Sequence, residues 1–226
     1  MSILRARQVF KQFAQGETPV QVLEGLELEV AKGETLAIVG QSGSGKSTLL
    51  SLLAGLDTPT QGSIELAGQA LESLSEEELT VYRAKHLGII FQQFHLMGNL
   101  TALENVSLPL EIARDPKAIE KARAALEHVG LAHRTSHFPH QLSGGEKQRV
   151  AIARAIVVEP SVLLADEPSG SLDTATGHQV MNLLFDLVNR RNMTLILVTH
   201  NEELVHLCQR KLALREGRLA PVQSSE

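Results

Sequence analysis

Short apolar runs alternate with stretches of helical period along most of this chain. Thr35–Val39 is a β-rich run that stops at a glycine-rich segment, and Lys46–Leu53 then reads as a helix with Gly55 placed to cap its end. Residues 161–165 and 194–199 are further apolar runs of the buried-strand kind. Between them Val180, Leu183, Leu184, Leu187 and Val188 recur at the spacing of one helix face. Strand, helix, strand in that order predicts a parallel sheet. The early chain differs. Residues 20–30 alternate apolar and polar positions (Val22, Leu26, Leu28, Val30), and residues 63–66 form another short strand candidate, which predicts an antiparallel portion. Ser75 and Glu78 occupy capping-box positions ahead of a helix reaching Lys85, and residues 116–129 and 146–158 also read as helices. The expected fold is α/β. Residues 1–91 and 160–226 supply a parallel-sheet core with an antiparallel β portion, and residues 92–159 supply an inserted helical subdomain.

Composition narrows the function. At 226 residues and 43% apolar, the chain can build a substantial core. Lys and Arg number 21 against 26 Asp and Glu, a net charge of −5, so no basic face is expected and no nucleic-acid partner. Only 3% of residues are aromatic, too few for broad base stacking. The single cysteine, Cys208, allows no intrachain disulfide, which fits a reducing compartment. Residues 1–13 interleave Arg5, Arg7 and Lys11 with apolar residues and lack the continuous apolar stretch of a targeting segment. No run approaches the roughly 20 apolar residues that span a bilayer, so membrane work would need a partner.

Three segments carry chemistry. Gly40-Gln41-Ser42-Gly43-Ser44-Gly45-Lys46-Ser47, followed by Thr48, is a complete phosphate-binding loop between a predicted strand and a predicted helix. Its glycines let successive amides point at phosphate, Lys46 supplies positive charge, Ser47 offers a hydroxyl to Mg²⁺, and the helix adds its positive end. Residues 162–167 form an apolar strand ending in two carboxylates. Asp166 is placed to hold Mg²⁺ and Glu167 to polarise an attacking water. Leu142-Ser143-Gly144-Gly145-Glu146-Lys147-Gln148 places a natural N-cap and two small residues at the head of another helix. Two helix N-termini suited to one triphosphate predict ATP held between two protein surfaces.

In order and spacing these motifs, with His200, resemble the ATP-binding cassette (ABC) family of transporter ATPases over about residues 4–219. The resemblance implies a RecA-like P-loop NTPase core, ATP and Mg²⁺ as ligands, and hydrolysis of ATP to ADP and phosphate. It also implies a role for each matching residue: Lys46 and Ser47 on phosphate and magnesium, Glu167 as catalytic base, and His200 as the switch histidine at the γ-phosphate. Gln92, after Gly88-Ile89-Ile90-Phe91, matches the glutamine that touches Mg²⁺ and the catalytic water and marks the start of the helical lobe, with Gln93 as its neighbouring alternative. Asp173 matches an aspartate that reaches toward a second subunit. Phe13, with Phe10 close by, falls where the family often stacks an aromatic on adenine. Glu146 stands where the family's most quoted signature has Gln, a change several subgroups share. Residues 55–62, 91–96 and 101–106 resemble the lipoprotein-release and macrolide-export subgroups, and residues 87–110 fit a related exporter subgroup equally well.

The resemblance further implies a homodimer of ATPase subunits, integral-membrane permease partners, and a peripheral place on the cytoplasmic face of a bacterial inner membrane. A DNA-repair or translation ATPase of the same superfamily is the alternative, although it would bring long insertions or a second cassette. A small-molecule P-loop kinase would explain residues 40–47 but not residues 142–148. His128, His133, His137 and His140 cluster near the signature without a metal-ligand pattern. Phe94, Leu96 and Met97 read as core by default, and the resemblance implies with equal weight that they line a groove for a short cytoplasmic helix of the permease.

Overall fold

The computed structural model describes residues 1–15 and 18–222. They fall into two compact units, the first made of Met1–His86 with the segment from Thr194 onward, the second of Leu87–Met193.

The first unit opens with two 14-residue strands, β1 (Ser2–Gln15) and β2 (Thr18–Ala31), in an antiparallel pair. The core strand β3 (Thr35–Val39) and helix α1 (Lys46–Leu53) follow. Next come β4 (Gln61–Leu66), the two-residue β5 (Gln69–Ala70) and α2 (Glu76–His86). β2, β1, β4 and β5 form one antiparallel sheet in that order. On β1 the inward positions Leu4, Ala6 and Val9 are buried, whereas Arg5 faces out and pairs with Glu29 and Glu65. Ser75 and Glu78 exchange capping hydrogen bonds at the start of α2, and that exchange holds the Glu78 carboxyl below its ordinary range.

The second unit holds β6 (Leu87–Ile90), α3 (Ala102–Ile112), α4 (Ala118–His128), α5 (Gly144–Ile156), β7 (Val162–Asp166) and α6 (Thr174–Arg190). β6 and β7 pair in parallel, with Ile90 opposite Ala165. α3, α4 and α5 pack on one another, and α5 also packs on α6 and β6. The helical segment expected at residues 92–159 lies inside this unit, which also takes in β6, β7 and α6.

The chain then returns to the first unit with β8 (Thr194–Val198), α7 (Glu202–His206), β9 (Arg210–Arg215) and β10 (Arg218–Pro221). β3 lies between β8 and β9, parallel to both, and β10 runs antiparallel to β9. All five residues of β8 are buried, as are the first four of β3, so these strands carry apolar side chains on both faces. Each buried Leu, Ile or Val contributes about 1.5–3 kcal/mol.

Candidate functional site

The first unit presents a phosphate cradle. β3 ends at Val39, and residues 40–45 turn into α1, whose N-cap is Gly45 in the left-handed region at φ 97°. A Cβ on Gly45 would also stand 2.9 Å from the Val22 side chain, so glycine is required twice over. Lys46 donates from Nζ to the carbonyls of Gly40 and Gln41, both at 2.9 Å, which holds its ammonium over the loop. Ser47 is exposed on the first turn of α1 and Thr48 is half-buried beside it. A cavity of about 910 Å³ opens here, lined by residues 20–22, 39–44 and 213–217. That volume suits a nucleotide-sized ligand. Gln41, Ser42, Gly43 and Ser44 form its loop wall.

Phe13 sits on β1 opposite Val20, which lines the cavity, and the residue is 43% exposed. Lys11 lies 4.9 Å from the ring centroid, its ammonium anchored on Asp57 and the Thr58 carbonyl. Phe10 instead packs toward Gly25, 3.3 Å from where a Cβ would stand. Phe13 therefore has the accessible ring of the two. His200 follows β8. Val198 is in register with Ile38, so His200 and the phosphate loop leave the carboxyl ends of adjacent parallel strands, the edge where ligands bind in open α/β sheets. Thr199 accepts from the Asn201 amide, and Asn201 caps α7.

The second unit repeats this arrangement with acidic chemistry. β6 leads through Phe91 to Gln92 and β7 ends in Asp166 and Glu167, again at neighbouring carboxyl ends. Glu167 adopts φ 46°, a left-handed conformation that costs a non-glycine residue about 1–2 kcal/mol and is typical of reactive sites. The Gly170 amide closes this turn onto the Glu167 carbonyl at 2.9 Å. The Gln92 amide lies against Gly170, since Nε2 is 2.8 Å from where a Cβ would stand. Gln92, not Gln93, is therefore beside the carboxylate turn.

Ser143 caps α5 and accepts from the Glu146 amide, while Glu146 returns a bond to the Ser143 amide at 2.8 Å. Gly144 and Gly145 open the helix. A Cβ on Gly145 would stand 2.5 Å from Thr176, so the α5–α6 packing requires glycine. Asp173 caps α6 by accepting from the Thr176 amide, and its hydrogen bonds to Thr176 hold the carboxyl below its ordinary range.

Three supports were invisible to motif reading because their partners are distant in the chain. Gln148, wholly buried on α5, donates to the Pro168 carbonyl next to Glu167. Arg154 donates to the carbonyls of Phe94 and His95, two consecutive residues with left-handed backbone. Burial pushes the Arg154 guanidinium pKa down. Arg134 pairs with Glu146 at 2.9 Å. Among the described residues no three His, Cys, Asp or Glu side chains gather into a metal-binding group. Taken separately, the Ser47 hydroxyl in the first unit and the Asp166 carboxylate in the second are each hard oxygen donors of the kind Mg²⁺ prefers.

A phosphate loop between β3 and α1, beside a parallel neighbour strand that ends at a histidine, defines the first unit as a P-loop nucleotide-binding fold. The model of the ABC transporter family matches residues 23–170, and the chain belongs to that family as an ATP-hydrolysing domain. It is 49% identical over 219 residues to the lipoprotein-releasing system ATP-binding protein LolD of Psychrobacter arcticus, covering 96% of this chain and 97% of the relative. It is 48% identical over 220 residues to the uncharacterized ABC transporter ATP-binding protein YbbA of Escherichia coli K12, covering 96% of each. Among solved structures, a dimer of the ATP-binding cassette MJ0796 in a post-hydrolysis state with ADP and Pi aligns with a TM-score of 0.89 at 35% identity. It covers 98% of this chain and 100% of that one. These relatives give no support to the DNA-repair or translation alternative.

Proposed function

We propose that this chain is the ATPase subunit of a membrane complex of the lipoprotein-release or export type, working as a pair of copies that close on ATP and open after hydrolysis. The observation that carries the reading is the presence of two glycine-bearing helix N-termini, Gly45 at α1 and Ser143-Gly144-Gly145 at α5, in separate compact units. One cradle does not need the second, whereas a triphosphate clasped between two copies does. The dimer of MJ0796 and the transporter names of the relatives support the pairing.

In this reading the amides of residues 40–45 and Lys46 take the β- and γ-phosphates, with Thr48 behind them, and Phe13 offers its exposed ring to adenine. Ser47, Gln92 and Asp166 would hold Mg²⁺, which when bound neutralises phosphate charge. Glu167 orients a water and accepts its proton as the water oxygen bonds to the γ-phosphorus and the bond to the ADP oxygen breaks. His200 and Gln92 steady the γ-phosphate and the water. Ser143, Gly144 and Gly145 of the second copy donate to the same γ-phosphate, and Asp173 lies at the surface between copies. Closure follows because both copies bind one anion, and hydrolysis removes the bridge.

No helix among the described residues is long and apolar enough to cross a membrane. In this reading, which the transporter names of the relatives support, the subunit sits at the cytoplasmic face of a bacterial inner membrane on an integral permease, for which the exposed Met97 with half-buried Phe94 and Leu96 offers an apolar surface. Turnover of Lys46→Ala tests the site. Hydrolysis should fall below about 1% of the parent while the melting temperature holds. Retained turnover would remove Lys46 from the reaction.

A further inference from the structure

Glu146 presents an electrostatic problem that the signature turn must solve. Its carboxylate occupies the third position of α5, where it favours the helix by accepting from the Ser143 amide. The side chain is only 14% exposed, so water shields its charge poorly. The same N-terminus is the one the proposed function assigns to the γ-phosphate of a nucleotide held by a second copy. A bare carboxylate one turn from Ser143 would repel that phosphate. Gln, the neutral residue of the commoner signature, would keep the cap without the charge.

Arg134 meets the carboxylate from outside the helix. It belongs to a single 3₁₀ turn, Ala132–Arg134, and its Nε donates to Glu146 Oε1 at 2.9 Å. A second arm of the guanidinium, NH1, lies 3.1 Å from His137 Nε2. Guanidinium has no acceptor, so Arg134 donates and His137 Nε2 accepts. The His137 carbonyl in turn receives the Ala102 amide at the head of α3, which anchors the segment that carries this contact. Arg134 is thus fixed at both ends rather than loosely paired. The Ser143 amide and Arg134 together keep the Glu146 carboxyl below its ordinary range, so the pair is charged at neutral pH.

We infer that Arg134 is a positioning residue for the ATPase cycle, supplying the counter-charge that lets a signature turn bearing Glu146 accept the triphosphate of a second copy. The inference rests on the proposed closure on ATP and deepens it. It assigns a role to a residue outside every nucleotide-binding motif and explains how this chain carries Glu at a position facing an anion.

The experiment uses the full chain with Glu167→Gln to slow hydrolysis, and reads by light scattering the MgATP concentration that gives half-maximal dimer. Arg134→Gln should raise that concentration by about tenfold. Arg134→Lys, which keeps the charge, should raise it no more than about threefold. Arg134→Gln combined with Glu146→Gln should return it to within about twofold of the parent, because no charge then needs compensation. Binding of a fluorescent ATP analogue to the monomer should not change in any variant. A merely structural Arg134 would not be rescued by neutralising Glu146. A double variant as weak as Arg134→Gln alone, or an Arg134→Gln that dimerises like the parent, overturns the inference. A parent that stays monomeric at saturating MgATP overturns the proposed closure and this inference with it.

Discussion

Gln148 and Pro168, twenty residues apart in sequence, are joined by a 2.6 Å hydrogen bond in the interior of the second unit, from Nε2 of a wholly buried side chain to a backbone carbonyl. The bond ties the signature helix α5 to the turn that holds Glu167 in its left-handed conformation. Gln148→Leu leaves a buried carbonyl without its donor, which costs about 1–3 kcal/mol. Turnover should fall by about tenfold or more as the Glu167 turn relaxes, with binding of ATP to the monomer little changed. Steady-state kinetics together with nucleotide titration check this, and unchanged kcat would detach Gln148 from the chemistry.

Arg154 holds a second strained turn. Its two donations to Phe94 and His95 fix consecutive left-handed residues that follow Gln92 after one intervening residue, Gln93. Arg154→Ala is expected to cost about 1–3 kcal/mol, since two charge-assisted bonds, one of them partly buried, are lost and the turn is released. Arg154→Lys should recover part of the stability, because one ammonium cannot reproduce the two-armed grip. Chemical denaturation of both variants gives the comparison.

The Glu146 cap is pH-dependent in a defined direction. Its carboxyl is depressed from the ordinary 4.5, first by the Ser143 amide. A depressed carboxyl contributes stability that is complete above the unfolded value and lost as pH falls through the folded one. The difference in melting temperature between the parent and Glu146→Ala should therefore hold steady from about pH 8 to about pH 5 and narrow below that. A gap that widens on acidification would contradict the charge assignment.

Cys208 is buried, and burial pushes its thiol up to about 12. It is neutral at physiological pH and a poor nucleophile. A thiol reagent at pH 8 should leave the folded chain unmodified and label one cysteine after denaturation. Rapid labelling of the folded chain would place the thiol at the surface.

What the sequence disclosed followed from locality. The strands and helices around residues 35–53, 162–166, 174–190 and 194–198 carry uninterrupted periods, and the nucleotide motifs are contiguous. Strand β1 was not legible because its inward set runs Leu4, Ala6 and then Val9 and Lys11. The register shifts between Ala6 and Val9, beside Gln8 at φ 46°, and this flips the alternation midway. Strands β9 and β10 were hidden by Arg210, Lys211, Arg215 and Arg218, charged residues that break the apolar pattern, the first two half-buried and the last two exposed. Helix α3 carries Pro109, a residue that normally argues against a helix interior. Within the site, Gln148–Pro168, Arg134–Glu146 and Arg154 with Phe94 and His95 join residues 12 to 60 positions apart. Only folding brings them together.

In the proposed cycle ATP joins two copies of this chain. The molar mass of the Glu167→Gln chain by light scattering, with and without saturating MgATP, tests this. The expected result is a monomer without nucleotide, a dimer with MgATP, and no dimer when Lys46→Ala or Ser143→Arg is added. A protein that binds ATP and remains monomeric, or whose dimer is indifferent to both added substitutions, would contradict it.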